Sequence, residues 1–255
     1  MRVDVLLDPF GARWADVREG AEAAAAAGFD GVWLYDHLAG SVHRALRVVE
    51  CWTALTAIAA TVPEIAVGPL VLNVANRDPG TLAVMAATLQ DVSGGRLLLG
   101  IGAGGAAGTP YAAEQRALGR TVGSDPVRRQ AVEATIAMLR VVWSGAVKGA
   151  SGFPMPEPPP PIIVGVFGPR MAELAGRLAD GINLPGGPAL ARLLDVAREA
   201  RASAGRDPDD FLVTASAGPS PRDHERLQAM GVDRAIVFIG PPYVDGVRRA
   251  RSARG

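Results

Sequence analysis

Eight times along this chain of 255 residues, a short apolar run is followed by a longer stretch with helical spacing, or by its remnant. The runs are Val3–Leu7, Gly31–Tyr35, Ile65–Leu72, Leu97–Ile101, Ile162–Phe167, Gly181–Leu184, Phe211–Ala215 and Ala235–Ile239. Runs this short and this continuously apolar suit strands buried on both faces. The helical stretches between them supply the crossovers that parallel strands need. Eight such units in about 250 residues match a closed (β/α)8 barrel better than an open doubly wound sheet. The expectation is one compact TIM-type barrel domain over residues 1–255.

The helices carry readable signals. Trp14, Val17, Ala21 and Ala24 share one face, and Gly28 is placed to end that helix. Leu46, Val49, Trp52, Leu55 and Ile58 predict a second helix over 46–60. Pro79 opens a third, which Gly94-Gly95 stops. Residues 102–124 read as a long loop, far above the usual connection. Ser124-Asp125-Pro126 then starts a helix running to about Trp143. Residues 145–161, rich in Gly and Pro, read as a connector because the alternation resumes at once. The helices over 169–179, 190–204 and from Ser220 complete the pattern. The basic stretch after Val247 reads as a solvated last helix that frays. Trp14, Trp33, Trp52 and Trp143 are expected in the core.

Charge and composition narrow the class. Lys+Arg and Asp+Glu number 26 each, so no strong field attracts nucleic acid or an anionic membrane. Cys51 is the single cysteine, which excludes an internal disulfide and suits a reducing cytoplasm. The first residues are too short and too interrupted for a signal peptide, and no window has the ~18 uncharged apolar residues of a membrane span. A cytoplasmic protein acting on a small molecule is expected.

In such a barrel, function gathers where strands end and helices begin. Asp36-His37 follows the second strand directly. An imidazole there can exchange a proton near neutral pH; equally, Asp36 could cap the next turn with His37 as packing. Gly100-Ile101-Gly102-Ala103-Gly104-Gly105 closes the fourth strand and would let a ligand approach bare backbone. It is not a dinucleotide fingerprint, since a long loop rather than a helix follows. Phe167-Gly168-Pro169-Arg170-Met171 opens a helix whose first N–H groups could meet an anion, or could simply start a structural helix. No HxH, HExxH or cysteine cluster is present, and no metal is expected. Arg77-Asp78 reads as a local ion pair, and Glu50 needs a buried partner or an interface.

Taken together, three sets of segments resemble the bacterial luciferase-like monooxygenase superfamily across nearly the whole chain. The first is Val67-Gly68-Pro69-Leu70-Val71-Leu72-Asn73 with Arg77-Asp78-Pro79, Ser93-Gly94-Gly95-Arg96 and Leu99 to Gly104. The second is Gly168-Pro169-Arg170-Met171 through Leu174-Ala175-Gly176-Arg177, Ala179-Asp180-Gly181 and Asn183. The third is Asp36-His37, similar to the branch that uses the deazaflavin coenzyme F420.

The resemblance implies a TIM-type barrel that binds F420 or FMN at its C-terminal rim. It places His37 by the ring as the proton-carrying group, with Asp36 orienting it. It places a non-proline cis peptide at Leu70-Val71, Asn73 on the ring or its attached chain, and Gly102 and Gly104 beside the ring. Val166, Phe167 and Gly168 would wrap the phosphate end, with Gly186 nearby. The implied activity is hydride transfer between F420 and a small organic substrate. An FMN-dependent monooxygenase served by a separate reductase, and a non-catalytic flavin-binding protein, remain open. A homodimer is implied by the family alone. Two departures stand out. Gly105 occupies the place of the catalytic glutamate in related sugar-phosphate dehydrogenases, which argues against that substrate. Phe167 stands where many relatives have glycine.

Overall fold

The computed structural model describes residues 1–254. Its strands form one sheet of parallel neighbours in the order β3-β2-β1-β9-β8-β7-β6-β5-β4. These are β1 (Arg2–Leu7), β2 (Gly31–Leu34), β3 (Ala66–Pro69), β4 (Leu72–Asn73), β5 (Leu99–Gly102), β6 (Ile162–Gly165), β7 (Gly181–Leu184), β8 (Leu212–Ala217) and β9 (Arg234–Ile239). The third expected strand is split in two. Its halves β3 and β4 flank the Leu70–Val71 peptide, which is cis, as the family resemblance implies. A parallel bridge between Val67 and Leu97 joins β3 to the approach of β5 and closes the ring. Nine strands thus fill eight barrel positions, and the fold is the expected TIM-type barrel.

Helices α1 (Trp14–Ala26), α2 (Cys51–Thr61), α3 (Pro79–Val92), α4 (Ala113–Ala117), α5 (Asp125–Trp143), α6 (Pro169–Leu178), α7 (Leu190–Ser203), α8 (Pro221–Ala229) and α9 (Tyr243–Ser252) surround it. The main core lies between strands and helices, and includes Val32, Leu34, Leu55, Val67, Leu99, Val164 and Val237. A smaller cluster of Leu6, Trp33, Ile163 and Ile236 fills the inside of the barrel. Alternation along each strand produces this division, since successive side chains point to opposite faces.

Several expectations need correction. The second helix starts at Cys51, not Leu46, because the Glu50 carboxylate accepts from the Trp52 and Thr53 amides and caps it there. Leu46 is fully exposed, and Val48 forms an antiparallel bridge with Phe10. Trp14, at the first position of α1, is 38% exposed rather than core. The stretch after Val247 is solvated as expected at Arg248, Arg249 and Arg251, but it does not fray: the helix continues to Ser252 with Val247 and Ala250 buried, and the Arg254 guanidinium lies 5.0 Å from the Phe29 ring centroid. The long loop 102–124 is not structureless. It carries a 3-10 turn at Pro110–Ala112 that runs into α4.

Candidate active site at the barrel rim

The mouth is built by the strand ends. Ile236 lies in the interior cluster, so Phe238, two residues on, faces the same way. It is nonetheless 54% exposed, so the protein does not fill the upper barrel. Leu70 and Tyr35 pack against the same interior cluster. Across the ring, Asn183 Nδ2 donates to Thr214 Oγ1 at 2.8 Å.

One wall is made of side chains seated directly on glycines. A Cβ on Gly102 would lie 2.5 Å from Val71 Cγ2, and one on Gly165 2.8 Å from the same atom. Gly104, at φ +68°, has no room beside Asn73, whose Oδ1 would be 2.4 Å from an added Cβ. Arg128 holds this loop by donating to the Gly104 and Ala103 carbonyls at 2.6 and 3.3 Å. Leu70, Val71, Asn73, Gly102 and Gly104 therefore form one contiguous patch.

Asp36 and His37 diverge. Trp33 and Tyr35 face into the barrel, so alternation sends Leu34 and Asp36 outward. Asp36 is buried and accepts from Arg77 Nη1 and Nη2, both at 2.9 Å, and from the Asn73 amide at 2.9 Å. Arg77 also reaches Glu50 at 2.6 Å. Burial pushes the Glu50 carboxyl up, but the Thr53 and Trp52 amides and Arg77 outweigh it and hold it below the usual range. Asp36 thus secures the backbone of Asn73 and does not orient His37, contrary to the sequence expectation. The Arg77-Asp78 pair is also corrected: Arg77 turns to Asp36 and Glu50, while Asp78 caps α3 through the Thr81 amide.

The carboxylate on His37 comes from α4. Nδ1 of His37 lies 3.1 Å from Glu114 Oε1, and Glu114 Oε2 accepts from the Leu38 and Ala39 amides at 2.8 and 3.1 Å. Burial raises the Glu114 carboxyl, but these three contacts outweigh it and keep it below the ordinary value. The His37 ring sits among Phe10 (5.2 Å), Tyr111 (5.7 Å) and His43 (6.0 Å). Burial raises the Asp8 carboxyl at the end of β1; the Phe10 amide, His43 and His37 oppose this only in part. Tyr35 is raised by burial and by Asp8 and Tyr111.

The remaining expected residues lie across the ring from β2. Val166 is buried, its amide donating to the Asn183 carbonyl at 2.9 Å. Phe167 is 89% exposed, and Gly168 is the N-cap of α6, whose first turn has no side-chain acceptor. Gly186 follows β7 against the Ser216 carbonyl of β8. Sequence reasoning missed Glu114, Phe10, His43 and Tyr111. Thr109-Pro110 was the available signal, a helix start inside the supposed loop. At Gly105, any Cβ would lie 2.5 Å from the Tyr111 Cβ, so this loop cannot carry an acid there.

A family model described as luciferase-like monooxygenase matches residues 1–251. The F420-dependent glucose-6-phosphate dehydrogenase of Microbacterium testaceum is 32% identical over 198 residues, 72% of this chain and 57% of its own length. The phthiodiolone/phenolphthiodiolone dimycocerosates ketoreductase of Mycobacterium kansasii is 30% identical, over 92% of this chain and 71% of its own. The chain thus spans little more than half of the first relative. Among solved structures, an F420-dependent secondary alcohol dehydrogenase superposes with TM-score 0.84 at 17% identity, covering 99% of this chain and 97% of the other. The F420-dependent tetrahydromethanopterin reductase of Methanopyrus kandleri gives 0.79, also at 17% identity, covering 99% and 98%.

Proposed function

This chain belongs to the luciferase-like monooxygenase family, and from that premise we propose that it transfers a hydride between coenzyme F420 and a small organic alcohol or carbonyl. The observation that carries the reading is His37, held by Glu114 just past the end of β2, at the same rim of the barrel as the patch of Val71, Asn73, Gly102 and Gly104. The glycines let Val71 and Asn73 sit close against the strand ends, and the face so formed suits a flat ring. Relatives named as F420-dependent dehydrogenases favour the deazaflavin over FMN.

When bound, the deazaflavin supplies a two-electron hydride acceptor and donor. The chain's residues do the rest. Leu70, Val71, Gly102 and Gly104 would form the ring's seat, and Asn73, its backbone secured by Asp36, would bond the ring or its attached chain. The backbone of Val166, Phe167, Gly168 and Gly186 would hold the phosphate end. As the substrate C–H leaves as hydride, His37 takes the hydroxyl proton and the C=O bond forms; the reverse reaction returns it. Phe10, Leu70 and Phe238 favour a substrate with an apolar body. A homodimer and a cytoplasmic setting belong to the same proposal and rest on family membership and the lone cysteine; no helix among the described residues is long and apolar enough to cross a membrane.

The second reading is an FMN monooxygenase with a separate reductase, favoured by likeness of fold to an EDTA monooxygenase at TM-score 0.70. Fluorescence titration of the purified protein with F420 and with FMN separates the two. Tight binding of F420 alone is the expected result. Tight binding of FMN alone transfers the assignment to the monooxygenase, and binding of neither overturns both.

A further inference from the structure

We propose that Glu114 is a positioning residue for the proton step: it fixes His37 with its proton on Nδ1 and leaves Nε2 as the atom that takes the substrate proton. The inference rests on the oxidoreductase reading above, but it concerns a residue that neither the sequence motifs nor the relatives' names point to.

The geometry is specific. Glu114 is 4% exposed. Each contact around its carboxylate comes from a group that can donate: His37 Nδ1 at one oxygen, the Leu38 and Ala39 amides at the other. An acceptor-only carboxylate facing Nδ1 requires that nitrogen to carry the hydrogen, and a neutral imidazole has only one. Nε2 is then the basic atom. The two amides do a second job, since they follow His37 directly in the chain. Glu114 therefore holds the ring and its own backbone at once, which fixes the direction in which Nε2 points. When Nε2 takes the proton, the imidazolium forms beside an anion already in place, with no solvent to reorganise.

No other group near the ring can replace it. The ring's aromatic neighbours are Phe10, His43 and Tyr111, on three separate segments. Phe10 is inert. His43 and Tyr111 bring no carboxylate, and His43 is exposed to solvent. Asp8, at the end of β1, feels both histidines, but its carboxylate accepts from the Phe10 amide at 3.2 Å. Tyr35, on the inward face, is a phenol held above its ordinary range. Asp36, next in the chain to His37, is turned outward to Arg77.

With F420 bound as hydride acceptor, the substrate carbon would give up a hydride, its oxygen would give up a proton to His37 Nε2, and the C–O bond would become C=O. Glu114 exchanges nothing and stays ionised throughout.

The first test uses the ligand-free protein. With ring 15N labelling of its three histidines, and His37 assigned from its loss in His37→Gln, the neutral ring is expected to carry hydrogen on Nδ1. Hydrogen on Nε2 in the wild type overturns the proposal, with no variant needed.

The second test is Glu114→Gln, which keeps the side-chain size and one carbonyl acceptor for the amides. Its NH2 group can donate to Nδ1, so the ring hydrogen is expected to move to Nε2. With that, kcat falls about 100-fold, the lower end of what acid–base catalysis supplies. KM and the Kd for F420 stay within about twofold, whereas a merely structural clamp would move KM and Kd and leave the tautomer alone. Near-wild-type kcat in Glu114→Gln, with turnover lost in His37→Ala, overturns this proposal and leaves the function standing. Full turnover in His37→Ala overturns both.

Discussion

Asp4 and Asp36 are both buried carboxylates gripped through both oxygens by an arginine, yet they do different work in different parts of the barrel. Asp4, on β1, accepts from Arg234 of β9 at 2.7 Å twice and from Trp33 Nε1 at 2.8 Å. Both partners of that pair are sealed, with side chains 0% and 2% exposed. Asp36, just past β2, accepts from Arg77 and from the Asn73 amide, and Arg77 continues to Glu50, whose side chain is 39% exposed. The first pair stitches strand to strand inside the barrel. The second stands outside the strands, under the mouth, and links the ends of β2 and β4 to the start of α2. A buried charge is costly without its partner. That cost secures the barrel wall in one place and the seat of Asn73 in the other.

The sharpest way to break the comparison is to remove each arginine. Arg234→Met leaves Asp4 sealed and unpaired and is expected to cost about 3–5 kcal/mol of unfolding free energy, measured by urea denaturation. Asp4→Leu added to it should recover most of the loss, since an apolar pair of similar volume does not bury a charge. Arg77→Met strands Asp36 too, and each carboxylate keeps one N–H donor (the Asn73 amide here, Trp33 Nε1 for Asp4), but Arg77 is 12% exposed against 2% for Arg234, so water reaches the gap it leaves more readily. About 2 kcal/mol is expected, together with weaker F420 binding, which Arg234→Met does not selectively produce. Equal stability losses with no effect on binding would erase the distinction between the two pairs.

The smallest effect is in acid. Glu114 and Glu50 are both held below the ordinary glutamate range, so their contribution is complete above the unfolded value of about 4.3 and is lost as pH falls through the folded values. The Leu38 and Ala39 amides should lose hydrogen-exchange protection as pH falls below the ordinary glutamate range, ahead of the β1 and β9 amides. Unchanged protection of those two amides under acid would show that the rim does not depend on the Glu114 charge.

Most of the barrel was legible because its strands are buried on both faces and so read as unbroken apolar runs. Gly181–Leu184 is found at the expected bounds, and the other strands within a few residues. What failed was local competition. Leu46, Val49 and Trp52 have helical spacing, but the Glu50 cap and the Phe10–Val48 bridge take that segment out of the helix. The rim was half legible. Strand alternation alone could have separated Asp36 from His37, because neighbours on an extended chain face opposite ways. Glu114 could not be read as their neighbour: 77 residues separate it from His37, and a five-residue helix is too short to show a period.

The Asp4–Arg234 pair also has a meaning for how the chain is made. Its partners are 230 residues apart, so the carboxylate emerges from the ribosome long before its arginine exists. Until β9 is synthesised, β1 has an open edge where its last neighbour will pair, and Asp4 stays ionised in water instead of entering a core. Closure is thus withheld from any fragment that stops short of residue 234. Such a fragment keeps an unpaired strand edge, open to mispairing and aggregation until β9 arrives.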